Sequence, residues 1–346
     1  MGVKEIATYF FFRFSVLLWS IKGIGLLFLV FIKSPYNFFK KGNWNDTPKN
    51  ANDANLGVHG NVTLQRSKLK ITYVANGKRG NPLMLCVHGF PECWYSWRFQ
   101  LKEFSSKYWV VAINLPGYAD SDKPSELANY TAERLIDNLA EVVEALGYEK
   151  GTIVAHDWGG ALVWSFASLY SSMCDKVIIM NAPHSTALRK MFGTLKQYQK
   201  SWYMFFFQLP WLPEMLMGCC DLQMFNEFFR GEESGVKNLE NMTEADVDVY
   251  KHALHSWEAR KCALNYYRAN IGNVSPQFIE RLKKSSISCP LLLIWGTEDF
   301  ALSLELAALS AKVSNLVSVE YVAGASHWVQ QDNPEEVNKY MWKFLN

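Results

Sequence analysis

Asp157 stands where a nucleophile would stand. The stretch Thr152-Ile153-Val154-Ala155-His156-Asp157-Trp158-Gly159-Gly160 opens as a β-branched run and closes on two glycines, and residues 161–167 continue it with helical character. Ala155 and Gly159 flank the aspartate two positions away on either side. Small neighbours of that kind permit a sharp strand-to-helix turn with a reactive side chain at its tip, the nucleophile elbow. Such an elbow commonly carries serine. A carboxylate there is already anionic at neutral pH and needs no base; its attack on carbon makes an ester. The plainer reading is an aspartate that caps the following helix.

An ester must then be broken, which calls for a general base and an acidic residue to orient it. Asp299 lies in Gly296-Thr297-Glu298-Asp299-Phe300, just after the apolar run 290–295, and His327 lies in Gly324-Ala325-Ser326-His327-Trp328, just after the run 317–322. The chain order is nucleophile, acid, histidine. His88, His156 and His184 also fall at the ends of strand-like runs, but only His327 follows the last one. Glu298 competes with Asp299 and reads as a turn residue. Earlier, Val87-His88-Gly89-Phe90-Pro91-Glu92 follows an apolar run. There the backbone N–H of Phe90, with that of Trp158, is expected to form an oxyanion hole. A simple Gly-Pro turn is the other reading of that segment.

Positioning these residues requires strands that end near one another. Apolar runs at 69–74, 82–87, 108–113, 152–155, 176–180, 290–295 and 317–322 alternate with helical spacing at 135–146 and 334–345. Continuous apolar strands alternating with helices predict an α/β fold with a mostly parallel sheet covered on both faces. Between about residues 185 and 288 the alternation stops, and a helical, aromatic stretch reads as a lid inserted into the sheet domain. The expected organisation is an N-terminal anchor over 1–41, a linker over 42–64, core over 65–184, lid over 185–288 and core again over 289–346.

The chain has 346 residues, a net charge of +2 and 20% charged residues, a balance that does not suggest nucleic-acid binding. Its seven cysteines are scattered without metal-ligand spacing and read as free thiols, so no metal is expected. Residues 9–32 are almost continuously apolar, broken by Arg13 and Lys22. About 20 apolar residues suffice to cross a bilayer, and an uncleaved single-pass anchor is expected rather than a helix lying in the interface. A cleaved signal peptide fits less well, because Lys33-Ser34-Pro35 and the aromatic residues after it offer no small-residue cleavage site. Lys33, Lys40 and Lys41 outweigh the basic residues before the span, which places the bulk of the chain on the cytosolic side of a membrane, with the endoplasmic reticulum expected. The triplets Asn61-Val62-Thr63 and Asn241-Met242-Thr243 match glycosylation acceptors and point the other way.

The stretch from His88 to Arg98 (HGFPECWYSWR), together with His156-Asp157-Trp158-Gly159-Gly160 and Gly324-Ala325-Ser326-His327-Trp328, resembles the α/β-hydrolase-fold epoxide hydrolases over residues 65–346. The N-terminal apolar segment and Phe207-Gln208-Leu209-Pro210-Trp211 look closest to the membrane-anchored, epoxide hydrolase 4-like branch. Where the family normally has serine after the glutamate of its first motif, this chain has Cys93. The resemblance implies two lid tyrosines that bind the epoxide oxygen: Tyr203 in Trp202-Tyr203-Met204 and Tyr267 in Asn265-Tyr266-Tyr267-Arg268. Tyr198 and Tyr266 are the neighbours most easily mistaken for them. It further implies a lipophilic epoxide and water as substrates, a vicinal diol as product and no cofactor. A dehalogenase, whose elbow also carries aspartate, and a non-catalytic binding protein at a membrane are the alternative readings.

Overall fold

The computed structural model describes residues 3–346, with side chains from Phe10 onward. The described residues form one eight-stranded sheet in the order β1-β2-β4-β3-β5-β6-β7-β8. The strands are β1 (Val58–Thr63), β2 (Lys70–Asn76), β3 (Leu83–Val87), β4 (Trp109–Ile113), β5 (Gly151–His156), β6 (Cys174–Met180), β7 (Leu291–Gly296) and β8 (Val317–Val322). β2 pairs antiparallel with β1 and with β4, and the remaining pairings are parallel. Every residue of β3, β4, β5 and β7 is buried. That is the pattern of strands covered on both faces, and it explains why their sequences run apolar without alternation. The helix Pro334–Leu345 packs against Arg98–Phe104, and Ala132–Ala145 packs against the helix that follows β5.

Five helices shape the centre and its surroundings: α1 (Val3–Lys33), α2 (Asp157–Leu169), α3 (Leu195–Lys200), α4 (Trp202–Phe206) and α5 (Trp257–Asn270). Between β6 and β7 the chain is helices and loops only, and α3, α4 and α5 belong to this insertion, which matches the expected lid. The insertion is tied back to the sheet domain by Gln197, which is fully buried on α3. Its amide donates to the Ala301 carbonyl at 3.0 Å and accepts from the Ser303 N–H at 2.9 Å. Inside the insertion, Arg268 pairs with the buried Glu214 at 2.6 Å.

One element departs from the expected organisation. Residues 58–63, inside the segment read as a linker, form β1 and pair with β2. Val58-His59-Gly60-Asn61-Val62-Thr63 has only two apolar residues, and none of the six is buried. An exposed edge strand needs little hydrophobic surface, so turn-forming residue types masked it. At the N-terminus α1 includes residues 10–33, with a mean hydropathy of 2.2, long and apolar enough to cross a membrane.

Replacing Gln197 by alanine leaves the Ala301 carbonyl and the Ser303 N–H without their partner in a dry site. The expected cost is about 1–3 kcal/mol, read as a lowered midpoint in urea unfolding.

Candidate active site

β5 ends at His156 and α2 begins one residue later, so Asp157 sits in the turn between them with φ +48°. Positive φ is strained for a side-chain-bearing residue and persists only where its surroundings impose it. Two glycines make room. A Cβ on Gly159 would lie 2.3 Å from the Val87 carbonyl oxygen, and one on Gly89 would lie 2.5 Å from Asp157 Oδ1. Only glycine lets the strand end, the elbow and the loop after β3 approach this closely.

Asp157 meets its expected partners. His327 Nε2 lies 3.5 Å from Asp157 Oδ2, and His327 Nδ1 lies 2.7 Å from Asp299 Oδ2. Asp299 is fixed in turn: Asn181 Nδ2 donates to its Oδ2 at 2.7 Å, and the N–H groups of Ala301 and Leu302 donate to its Oδ1 at 2.8 Å each. Glu298, the competing acid, is exposed. The three side chains converge because parallel strands deliver their C-terminal ends to one edge of the sheet.

The Phe90 N–H donates to Asp157 Oδ1 at 2.8 Å. One expected oxyanion donor therefore already faces the carboxylate, and Trp158, whose N–H is the other, follows directly at the start of α2. Above them lie the lid phenols. The Tyr267 ring packs edge-on against Trp158 at 5.0 Å and Phe90 at 5.2 Å, and the Tyr203 ring lies 6.0 Å from that of Tyr267. Tyr266 points elsewhere, donating to the Pro116 carbonyl at 2.8 Å, and Tyr198 bonds Ser15 of α1 at 2.9 Å. Of the four tyrosines, Tyr203 and Tyr267 are the two that face the carboxylate cluster. Two surface grooves, one beside Asp332 and Trp342 and one beside Trp211 and Trp257, contain none of these residues. The cluster lies under the lid, where the Asp157 side chain keeps 15% exposure, enough to be reached.

Burial and charge set the protonation states. Burial pulls the His327 imidazole down, but Asp299 and Asp157 outweigh it and push the group up to about 10. Burial pushes Asp157 and Asp299 up, and His327 with their hydrogen-bond donors more than reverses this, so both lie below the ordinary carboxylate range. The resting centre is an imidazolium between two carboxylates. Burial, then the Asp157 charge, holds the phenols of Tyr203 and Tyr267 well above the usual tyrosine range, so both stay protonated and able to donate.

The sequence reading missed a second buried layer. Glu92 Oε2 lies 2.7 Å from His156 Nδ1, and His156 Nε2 lies 2.8 Å from the His327 carbonyl oxygen. Glu92 Oε1 accepts from Gln330 at 3.0 Å and Gln331 at 2.9 Å. Asn181 was missed as well. Its signal was available: a polar residue directly after the apolar run 176–180, which the structure shows as β6, the strand between those carrying Asp157 and Asp299. His88 accepts from the Leu115 N–H at 3.1 Å, and His184 contacts Thr186, so neither competes with His327.

The sheet order, the elbow and the inserted lid define an α/β hydrolase, and the model of the α/β hydrolase fold matches residues 82–334. Epoxide hydrolase 4 of Homo sapiens is 37% identical over 345 residues, covering 96% of this chain and 93% of the human protein. Epoxide hydrolase 1 of Caenorhabditis elegans is 44% identical over 285 residues, covering 82% of this chain and 69% of the nematode protein. Among solved structures, an epoxide hydrolase variant from Bacillus megaterium, complexed with its product (R)-3-[1]naphthyloxy-propane-1,2-diol, is 30% identical with a TM-score of 0.68. That match covers 83% of this chain and all of the bacterial one. The chain belongs to the epoxide hydrolases of the α/β-hydrolase fold family.

Two measurements check this electrostatic picture. In an NMR titration the His327 imidazole stays protonated through pH 7 and releases its proton near pH 10; Asp299→Asn removes an opposing charge and moves that midpoint downward. His156→Phe removes the imidazole partner of the buried Glu92, which keeps its Gly89, Gln330 and Gln331 donors, and leaves the His327 carbonyl without its partner; the expected loss is about 1–3 kcal/mol in urea unfolding.

Proposed function

We propose that this protein hydrolyses lipophilic epoxides to vicinal diols through a covalent ester on Asp157. The observation that carries the reading is the convergence on Asp157 of His327 at 3.5 Å and of Phe90 and Trp158, against which the Tyr267 ring packs with Tyr203 beside it. With Oδ1 held by the Phe90 N–H, Oδ2 is the attacking oxygen. It bonds to one epoxide carbon as the carbon–oxygen bond of the ring breaks. The phenols of Tyr203 and Tyr267 hydrogen-bond the departing oxygen, and one of them protonates it.

Esterification neutralises Asp157. His327 then loses one of the two charges that hold its proton, and its basicity falls toward the range of a general base. Neutral His327, oriented by Asp299, takes a proton from water as that water attacks the ester carbonyl carbon. The N–H groups of Phe90 and Trp158 hold the resulting oxyanion. Collapse breaks the Cγ–Oδ2 bond of the ester. The departing alkoxide takes the proton of the newly formed Asp157 carboxyl group, which regenerates the carboxylate beside a protonated His327. The proton that His327 shed before the hydrolytic step returns through solvent to the tyrosinate. Epoxide plus water gives diol, with no proton or electron left over.

The paired phenols suit an epoxide oxygen better than a departing halide, which favours this reading over a dehalogenase. Phe90 packs against Phe207, Phe228 and Tyr267, and Phe207 against Tyr267, an apolar lining that suits lipophilic epoxides such as epoxy fatty acids. The apolar α1 is read as holding the enzyme at a membrane, with the endoplasmic reticulum as the expected location.

His327→Gln incubated with an epoxide is expected to gain the mass of one substrate molecule, localised to the peptide containing Asp157. An unchanged mass in the folded variant, with no diol formed by the wild type, would refute the mechanism. Tyr203→Phe and Tyr267→Phe are each expected to slow ester formation by about 10²-fold in single-turnover measurements, since each removes a donor to the leaving oxygen.

A further inference from the structure

We propose that α1 lies in the plane of the membrane, docked along its length on the lid, rather than crossing the bilayer. One face of the helix is committed to protein. Phe12, Ser15, Trp19, Gly23 and Leu27 recur at steps of three and four residues and are buried or half-buried, as is Ser20 beside them. Tyr198 Oη donates to Ser15 Oγ at 2.9 Å, and the Phe12 ring lies 6.0 Å from that of Phe205. A Cβ on Gly23 would come within 2.1 Å of the Phe206 ring, so glycine lets α4 press against α1 there. The opposite face, with Phe14, Leu17, Ile21, Ile24 and Phe28, is exposed. Its occupant is the acyl region of a lipid bilayer.

Three observations set the helix in the plane. From Phe12 to Leu27 the docked stretch is about 22 Å long, most of the roughly 30 Å that a crossing requires. A crossing helix would keep this contact only by drawing the lid into the hydrocarbon, including the exposed Lys196 of α3, which pairs with Glu305 of the sheet domain at 3.0 Å. Second, Lys22, which would fall near the middle of a span, instead sits 4.3 Å from the Trp202 ring centre at the margin between lid and exposed face. Third, the chain after α1 is clamped. The Gly42 N–H and Trp44 Nε1 both donate to Asp221 Oδ1 of the lid, at 2.6 and 2.9 Å.

The rim of the exposed face fits a headgroup layer. Tyr36 and Phe39 are exposed there together with Lys33, Lys40 and Lys41, cations suited to lipid phosphates. Because α4 carries Tyr203 toward Asp157 and Phe205 and Phe206 toward α1, the membrane helix backs the lid element that closes the site.

Protease protection of the full chain in sealed microsomes tests this, with an epitope at each terminus. The in-plane arrangement puts both epitopes on the same side, on membranes that retain the protein through a high-salt wash. Epitopes on opposite faces, or release by salt, would overturn it. Gly23→Leu, which drives a side chain into Phe206, is expected to speed tryptic cleavage within residues 195–230 several-fold while the protein stays membrane-bound. An unchanged cleavage rate would also count against the docked helix. None of these readouts depends on epoxide turnover, so they stand or fall apart from the proposed reaction.

Discussion

An imidazole wedged between two carboxylates is the constraint on which the rest of the centre depends. His327 is buried, and a buried cation is costly unless it is paired and hydrogen-bonded. Asp299 supplies the close pairing at 2.7 Å and is itself satisfied by Asn181 and two backbone N–H groups. Asp157 supplies the second charge at 3.5 Å and is the only one of the two that the proposed cycle removes. In the cycle proposed above, consuming the nucleophile removes part of the electrostatic support of the protonated imidazole, which times the base to its step. The timing needs no moving part. It comes from which carboxylate is expendable.

That arrangement explains why so much of the surrounding chain is small or rigid. Gly89 and Gly159 exist at the points where a Cβ would strike the carboxylate or the β3 carbonyl. The left-handed backbone at Asp157 is imposed by the abrupt passage from β5 into α2. The lid contributes aromatic residues that pack around Phe90 and two phenols that remain protonated under the influence of burial and the nearby carboxylate.

The meeting of the candidate residues was legible in the sequence because each marks a strand end, and parallel strands bring their ends together whatever the intervening length. Asp157, Asp299 and His327 are far apart in the chain, yet the apolar runs before them suffice to forecast their meeting. The lid tyrosines were a different matter. Tyr203 and Tyr267 look like their aromatic neighbours in composition and spacing, and family resemblance rather than periodicity separated them from Tyr198 and Tyr266. β1 escaped because an edge strand carries little apolar signal. The Glu92–His156 layer escaped because its members are distant in sequence and bond to a backbone carbonyl and to amides, which no local pattern announces. In α1, Lys22 reads as a break in a hydrophobic span and Ser15 and Gly23 carry no signal at all; the structure gives each a neighbour on the lid.

Glu92 ties together two distant parts of the chain. Its carboxylate reaches Gln330 and Gln331, 238 and 239 residues further along, while His156, which it also contacts, touches the His327 carbonyl. The first motif and the closing segment are thus mechanically one piece despite lying far apart in the polypeptide. Chimeras that exchange only the C-terminal portion between relatives would inherit mismatched halves of this joint, and the two segments are best regarded as a single heritable module.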